Sequence, residues 1–252
     1  MVLNKSFLLN ISYNIIYKMK KNLNQKLINL IEYYSLNNVN LILSNKPIKR
    51  STNHISNFNG KTKKQKLDNL KNSIRIIKNC ELKKSATNLV FADGNIHSKI
   101  MIIGEGPGAQ EDLEGKPFVG RAGKLLDKML AAIKLDRTKV YISNVVNYRP
   151  PSNRKPTDEE IQRYFPYLIN HIEIIDPKIL VLLGSTALNA LVGNEEVISK
   201  ARGKWTNNEI GKVKPWTIAS FHPAFLMRQP DQKKLAWIDL KMIRDKAKIL
   251  KI

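Results

Sequence analysis

Cysteine is nearly absent from this sequence. One residue of 252, Cys80, carries a thiol, which excludes an internal disulfide and fits a reducing compartment. Acid is also scarce: 21 Asp and Glu stand against 43 Lys and Arg, a formal net charge of +22. A field of that sign attracts nucleic acid or anionic membrane. No apolar run approaches the length of a membrane span, so no membrane partner is expected. The two common phosphate-loop patterns are missing. The dinucleotide fingerprint requires glycine at position 109, which is Ala109, and no Gly-Lys-Ser/Thr follows a glycine-rich loop. Both gaps count against unrelated nucleotide-binding chemistry. What remains is a chain with 42% hydrophobic residues, long enough for one large domain with a real core.

The acid shortage is uneven. Residues 1–84 carry 17 Lys and Arg against 3 acids, net +14, whereas residues 85–252 carry 26 against 18, net +8. Lys, Asn and Ile enrichment accords with an AT-rich genome, but its consequence is physical: attraction to phosphate that salt weakens. Residues 1–18 are acid-free and basic, like some transit peptides, yet lack arginine and the apolar core of a secretory signal. The expectation is a cytoplasmic, nucleoid-associated protein of bacterial type, with organelle targeting left open. Leu27, Leu30, Ile31 and Tyr34 recur at helical spacing within 23–37, residues 45–66 read as a linker, and a further helix is expected over 67–78. The expected division is a basic Asn/Lys-rich extension over 1–66 and a catalytic domain over 67–252.

Beyond residue 85 short apolar runs alternate with helical stretches. Strands are expected at Ile100–Ile103, Val140–Val146, Ile179–Leu183 and Trp216–Ala219. Helices are expected at Ala122–Ile133, Asp158–Ile175, Ser185–Leu191 and Gln232–Lys248, the second opened by a Thr157/Glu160 capping box. This pattern predicts an α/β fold: three layers, αβα, around a central, mostly parallel four-stranded sheet, with a helical N-terminal extension. Strand ends at Ile103, Val146 and Ala219 then deliver loops to one sheet edge, where open α/β sheets bind ligands. The most distinctive of these loops is Ile102–Leu126. It holds Gly104, Gly106, Pro107 and Gly108, the carboxylates Glu105, Glu111, Asp112 and Glu114, and Phe118 between Pro117 and Gly120. By spacing alone it is a tight connection, a phosphate cradle, or a pocket for something flat and polar.

The wording of that loop, GEGPGAQEDLEGKPFVGRAGKLLDKML, resembles the first motif of the family 4 uracil-DNA glycosylases. Three further stretches agree in order: YISNVVNYRPPSNRKPT at 141–157, KILVLLGSTALNALVG at 178–193 and SFHPAFLMRQP at 220–230. The resemblance runs from about residue 67 to the end. It implies a uracil-DNA glycosylase fold and a hydrolase that flips deoxyuridine out of DNA, cuts the base–sugar bond with water and so initiates base excision repair. Such chemistry requires a flat pocket that reads uracil, a donor to the departing base, and a group that holds water.

The resemblance assigns roles residue by residue. Glu105 positions water and His222 donates to the uracil O2 as charge develops. Gly106, Glu111, Phe118 and Asn144 form the base pocket, with Phe118 as stacking plate. The Asn144 amide offers one donor and one acceptor, as O4 and N3–H of uracil require, whereas cytosine presents the opposite pattern. Arg154, Pro223, Leu226 and Arg228 face DNA, Leu226 as an apolar wedge. Arg202-Gly203-Lys204-Trp205 reads as a backbone contact or a turn with a buried Trp. No lysine is singled out, so a monofunctional enzyme without a Schiff base is implied. The partner is uracil-containing DNA, single- or double-stranded, and the enzyme is expected to be a monomer.

One departure stands out. Members of this family commonly hold a four-cysteine iron–sulfur cluster. Its positions carry over to Cys80, Lys83, Tyr148 and Tyr164, of which only the first is cysteine. The expectation is therefore no cofactor and no metal. Two rivals remain at this point: a non-catalytic DNA-binding protein of the same fold, and a glycosylase acting on a broader range of deaminated bases.

Overall fold

The computed structural model describes residues 60–193 and 197–252. The expected helix at 23–37 and nearly all of the extension over 1–66 lie outside the described residues. The described chain opens on helix α1 (Lys63–Arg75), started by a Thr62/Gln65 capping box. It begins four residues ahead of its expected start, because the cap overrides the weak apolar pattern of its first turn. Helix α2 (Glu81–Ser85), edge strand β1 (Asp93–Gly94), strand β2 (Ile100–Gly104) and helices α3 (Ala109–Glu114) and α4 (Arg121–Ala132) follow. Strand β3 (Tyr141–Asn144) leads into helix α5 (Asp158–Ile175), and strand β4 (Ile179–Leu183) into helix α6 (Ser185–Val192). Helix α7 (Ile198–Ala201), strands β5 (Trp205–Thr206) and β6 (Trp216–Ser220), and helices α8 (Pro223–Arg228) and α9 (Lys233–Ile249) complete it.

The sheet runs β1-β3-β2-β4-β6-β5. Its four central strands are parallel, in register Ile102 with Ile142, Ile102 with Val181, and Val181 with Ile218. The expected four-stranded parallel core is therefore present, and two antiparallel edge pairs extend it to six strands. Those edges, Asp93-Gly94 and Trp205-Thr206, are two residues long, too short for any alternating pattern to show.

Every residue of β2 and β4 is buried, as expected of a sheet covered on both faces. Alternation splits them between two cores. Met101, Ile103, Leu180 and Leu182 join Leu70 and Ile74 of α1 and Leu168 and Ile172 of α5 on one face. Ile100, Ile102, Val181 and Leu183 meet Leu126 and Leu130 of α4 and Leu240 and Ile243 of α9 on the other. This makes three layers. A fully buried Leu70 or Ile74 stabilises the fold by roughly 1.5–3 kcal/mol, so α1 is part of the domain rather than an appendage.

Helix α5 begins as expected: the Glu160 amide donates to Thr157 Oγ1 at 3.2 Å and the Thr157 amide to Glu160 Oε2 at 2.8 Å. Among the described residues no helix is long and apolar enough to cross a membrane. The loops that leave β2, β3, β4 and β6 all emerge from the same ends of parallel strands, which brings four distant sequence motifs to one sheet edge.

Candidate active site

A cavity of about 400 Å³ opens at that edge, lined by Glu105, Gly106, Phe118, Asn144, Gly184, Phe221, His222 and Phe225, with Arg154 and Arg228 at its wall. Gly104, the last residue of β2, lies against two of these lining side chains. A Cβ placed there would lie 2.4 Å from Phe118 Cζ and 2.5 Å from Asn144 Oδ1. The Phe118 ring and the Asn144 amide therefore converge over a residue that has to lack a side chain.

Phe118 is held in an uncommon conformation. Its φ is 56°, in the left-handed region that non-glycine residues seldom occupy. Arg137 fixes it: Nη1 donates to the Pro117 carbonyl at 3.1 Å and Nη2 to the Phe118 carbonyl. The same guanidinium pairs with Asp93 at 2.7 Å and Asp127 at 2.9 Å. These partners raise the Arg137 pKa against the opposing effect of burial. Gly123 of α4 completes the turn, since a Cβ there would overlap the Phe118 carbonyl. The ring is 5% exposed and its centroid lies 5.5 Å from the His222 ring, tilted by 31°.

Asn144 ends β3 and is 3% exposed. Its Oδ1 is buried without a hydrogen-bond partner, an arrangement that costs roughly 1–3 kcal/mol until a donor arrives. The N3–H of uracil is such a donor. Glu111 has a different place. Its Oε2 accepts from the Gly108 amide at 3.1 Å and its Oε1 from the Gly120 amide at 2.8 Å. Glu111 thus lines the cavity but staples the two ends of its loop, a role that spacing did not reveal.

His222 caps α8. Its Nδ1 accepts from the Ala224 amide at 3.2 Å, which leaves the proton of the neutral ring on Nε2. Burial, aided by the positive charge of Arg228, lowers its pKa to about 4, so the ring is neutral near pH 7. It can therefore donate one hydrogen bond without carrying charge. The strand feeding it is anchored from behind. Ser220 Oγ donates to Asp239 Oδ2 at 2.6 Å, and Arg202 Nε donates to the same oxygen at 2.9 Å. Arg202 also lies 5.5 Å from the Phe221 ring centroid. Asp239 is fully buried. Arg202 is thus spent on Asp239, and Trp205 is half-buried with Lys246 Nζ 5.1 Å from its ring centroid.

Of the residues expected to face DNA, Arg154 and Arg228 are exposed. Arg154 is paired with Glu160 at 2.6 Å. Pro223 is buried as the first residue of α8. Leu226, expected as a wedge, is 1% exposed and belongs to the core shared with Leu126 and Leu240. That expectation is corrected: one helical turn after His222, the side chain points down onto α4 and α9 rather than outward. Phe225 is the neighbouring apolar residue that lines the cavity. Sequence reasoning missed Arg137, Asp239 and Thr186, whose partners are 19, 37 and 81 residues away. Nothing in local spacing signals them.

Fold and cavity together define an α/β protein with a pocket at the edge of its sheet, lined by an aromatic ring, an amide, a carboxylate and a neutral imidazole. The comparison with known proteins makes this specific. The model of the uracil DNA glycosylase superfamily matches residues 91–241, and the chain belongs to that superfamily. A type-4 uracil-DNA glycosylase of Archaeoglobus fulgidus is 40% identical over 183 residues, covering 71% of this chain and 92% of the relative. Type-4 uracil-DNA glycosylases of Thermotoga maritima and Sulfurisphaera tokodaii are 45% identical over 150 residues and 41% over 189. The first covers 59% of this chain and 77% of the relative, the second 72% and 84%.

These relatives correct the expectation about cofactors. Type-4 uracil-DNA glycosylases are a group known to bind an iron–sulfur cluster, so the statement that the protein has no cofactor does not stand. The side chains at the four carried-over positions do not themselves fit a thiolate cage. Cys80 is buried with Sγ 3.3 Å from Tyr164 Oη. Tyr148 and Tyr164 are buried, their hydroxyl pKa values raised first by burial. Lys83 Nζ donates to the Arg75 carbonyl at 2.6 Å. Among the described residues, no group of three or more His, Cys, Asp or Glu could hold a metal ion. No step of the chemistry below passes through a cluster.

Proposed function

We propose that this chain hydrolyses the N-glycosidic bond of deoxyuridine in DNA, the first step of base excision repair. The observation that carries this reading is the orphaned Asn144 Oδ1, buried where Asn144 and Phe118 converge on Gly104. A flipped uracil enters edge-on against Asn144 and stacks on Phe118. Its N3–H satisfies Oδ1, and its O4 takes a hydrogen bond from the same amide. Cytosine offers an acceptor at N3 and a donor at C4, which leaves both ends of the amide mispaired, a mismatch worth several powers of ten in rate.

The bond between C1′ and N1 then lengthens. Its electron pair moves onto the base, and the sugar develops oxocarbenium character. Negative charge on the uracil O2 meets the Nε2–H of neutral His222, a donor placed in a low-dielectric cavity, where it is worth far more than in water. Glu105 faces the sugar, where its charge opposes the developing cation and its oxygen orients the attacking water. Water adds to C1′, and its proton leaves through Glu105 to solvent. Products are free uracil and an abasic site.

Arg228 and Arg154 supply phosphate contacts at the rim, within the field of a +22 chain, so affinity falls steeply with salt. The enzyme is proposed to act as a monomer. The catalytic domain starts by Thr62, whose capping box opens α1, and the basic segment before it adds non-specific attraction to DNA. The test is single-turnover uracil release by Asn144→Ala and His222→Ala beside the wild type. Loss of release with unchanged thermal unfolding is expected. Retention of wild-type rates in either variant would remove that residue from the site.

A further inference from the structure

The motif KILVLLGSTALNALVG supplies strand β4 and helix α6, and its Thr186 has no part in the chemistry proposed for the site. Thr186 is the second residue of α6 and is 8% exposed. Its Oγ1 donates to Glu105 Oε2 at 2.5 Å. The carboxylate is therefore held through Oε2, on the wall of the cavity.

The placement of Thr186 is itself over-determined. Strands β2 and β4 are neighbours, with Ile103 opposite Leu182, so the loops that leave them meet. Gly184 turns β4 into α6 with φ of 90°, a conformation that glycine adopts without strain. The Gly184 amide donates to the Ser220 carbonyl at 2.9 Å, which ties the start of α6 to the strand that carries His222. A Cβ on Gly184 would stand 3.1 Å from His222 Cβ. Thr186 thus reaches Glu105 from a turn that packs directly against the other proposed catalytic side chain.

We infer that Thr186 is a positioning residue, whose hydroxyl fixes Glu105 through Oε2 and so dedicates Oε1 to the attacking water. The inference rests on the role proposed for Glu105. A free glutamate samples several rotamers, and a single charge-assisted hydrogen bond selects one. It also satisfies one oxygen from the protein, so the water at Oε1 meets a carboxylate already aimed at the sugar.

The test is single-turnover uracil release by Thr186→Val, Thr186→Ser, Glu105→Gln and the double variant Thr186→Val/Glu105→Gln, with binding to abasic-site DNA and thermal unfolding on each. Loss of a hydrogen bond to a charged group is expected to slow Thr186→Val about 10- to 100-fold. Thr186→Ser, which keeps the hydroxyl, stays within about threefold of wild type, and binding to abasic-site DNA is unchanged. In the Glu105→Gln background the valine substitution adds little, because its effect passes through the carboxylate. A crippled Glu105→Gln beside a wild-type rate for Thr186→Val overturns the inference and leaves the proposed function standing. Equal losses from Thr186→Val in both backgrounds overturn it in favour of a structural threonine. A wild-type rate for Glu105→Gln instead refutes the role given to Glu105, and the inference with it.

Discussion

Gly104→Ala perturbs two lining side chains of the cavity, Phe118 and Asn144, from behind. The added Cβ falls 2.4 Å from Phe118 Cζ and 2.5 Å from Asn144 Oδ1. Ordinary contacts between such atoms lie near ~3.5 Å, so ring and amide together must yield by about 1 Å. Neither can retreat cheaply. Phe118 is pinned by Arg137 through its own carbonyl and that of Pro117, and Asn144 stands at the end of a buried strand. Overpacking of this kind costs about 1–3 kcal/mol of stability. A displacement of 1 Å in a positioning group lowers rate on the order of 100-fold. The backbone of Gly104 is not in the left-handed region, so the effect is steric and confined to the pocket. Single-turnover uracil release, measured with denaturant unfolding on the same protein, checks both numbers. A rate within a few-fold of wild type in a folded Gly104→Ala variant would refute the claim that Phe118 and Asn144 together form the base slot.

Further consequences are open to measurement. His222→Ala and Asn144→Ala should each lower uracil release about 10²- to 10³-fold, the scale for one lost transition-state donor; Asn144→Asp should give measurable release from a cytosine-containing oligonucleotide. Arg137→Ala should slow release about 10-fold or more and cost about 1–3 kcal/mol, because it frees a residue at φ 56° and leaves Asp93 and Asp127 without their partner. His171, buried beneath a stacked Phe91 and bonded to Tyr141 Oη at 2.9 Å, has its pKa pushed down to about 3 by burial. The unfolded chain then binds the extra proton below about pH 6.5, so the folded state loses stability as pH falls. Between pH 6.5 and 5 the loss from this residue is about 1.6 kcal/mol, readable as a shift in urea midpoint; His171→Phe should flatten that dependence.

The layers and the parallel core were legible because burial on both faces writes itself as short continuous apolar runs, as in Ile179–Leu183. The Thr157 cap was legible because a capping box is local. The site was legible only as motifs. Glu105, Phe118, Asn144 and His222 do converge on one cavity, but their spacing in the chain gives no distance in space. Contacts set by tertiary approach stayed hidden. Arg137 reads as a loop arginine until Phe118 is placed beside it, and Arg202 as a phosphate contact until Asp239 arrives from α9. Leu226 misled because exposure was inferred from a motif, whereas the helix phase turns it into the core. The cofactor expectation fails because it rests on four positions alone, whereas the type-4 relatives belong to a group known to bind an iron–sulfur cluster.

The most direct test of the account is base release from otherwise identical oligonucleotides carrying one uracil, one cytosine or one thymine at the same position. The account expects release from the uracil substrate alone, with rates that fall as salt rises. Intact DNA binding without release of any base, or equal release of uracil and cytosine, would contradict it.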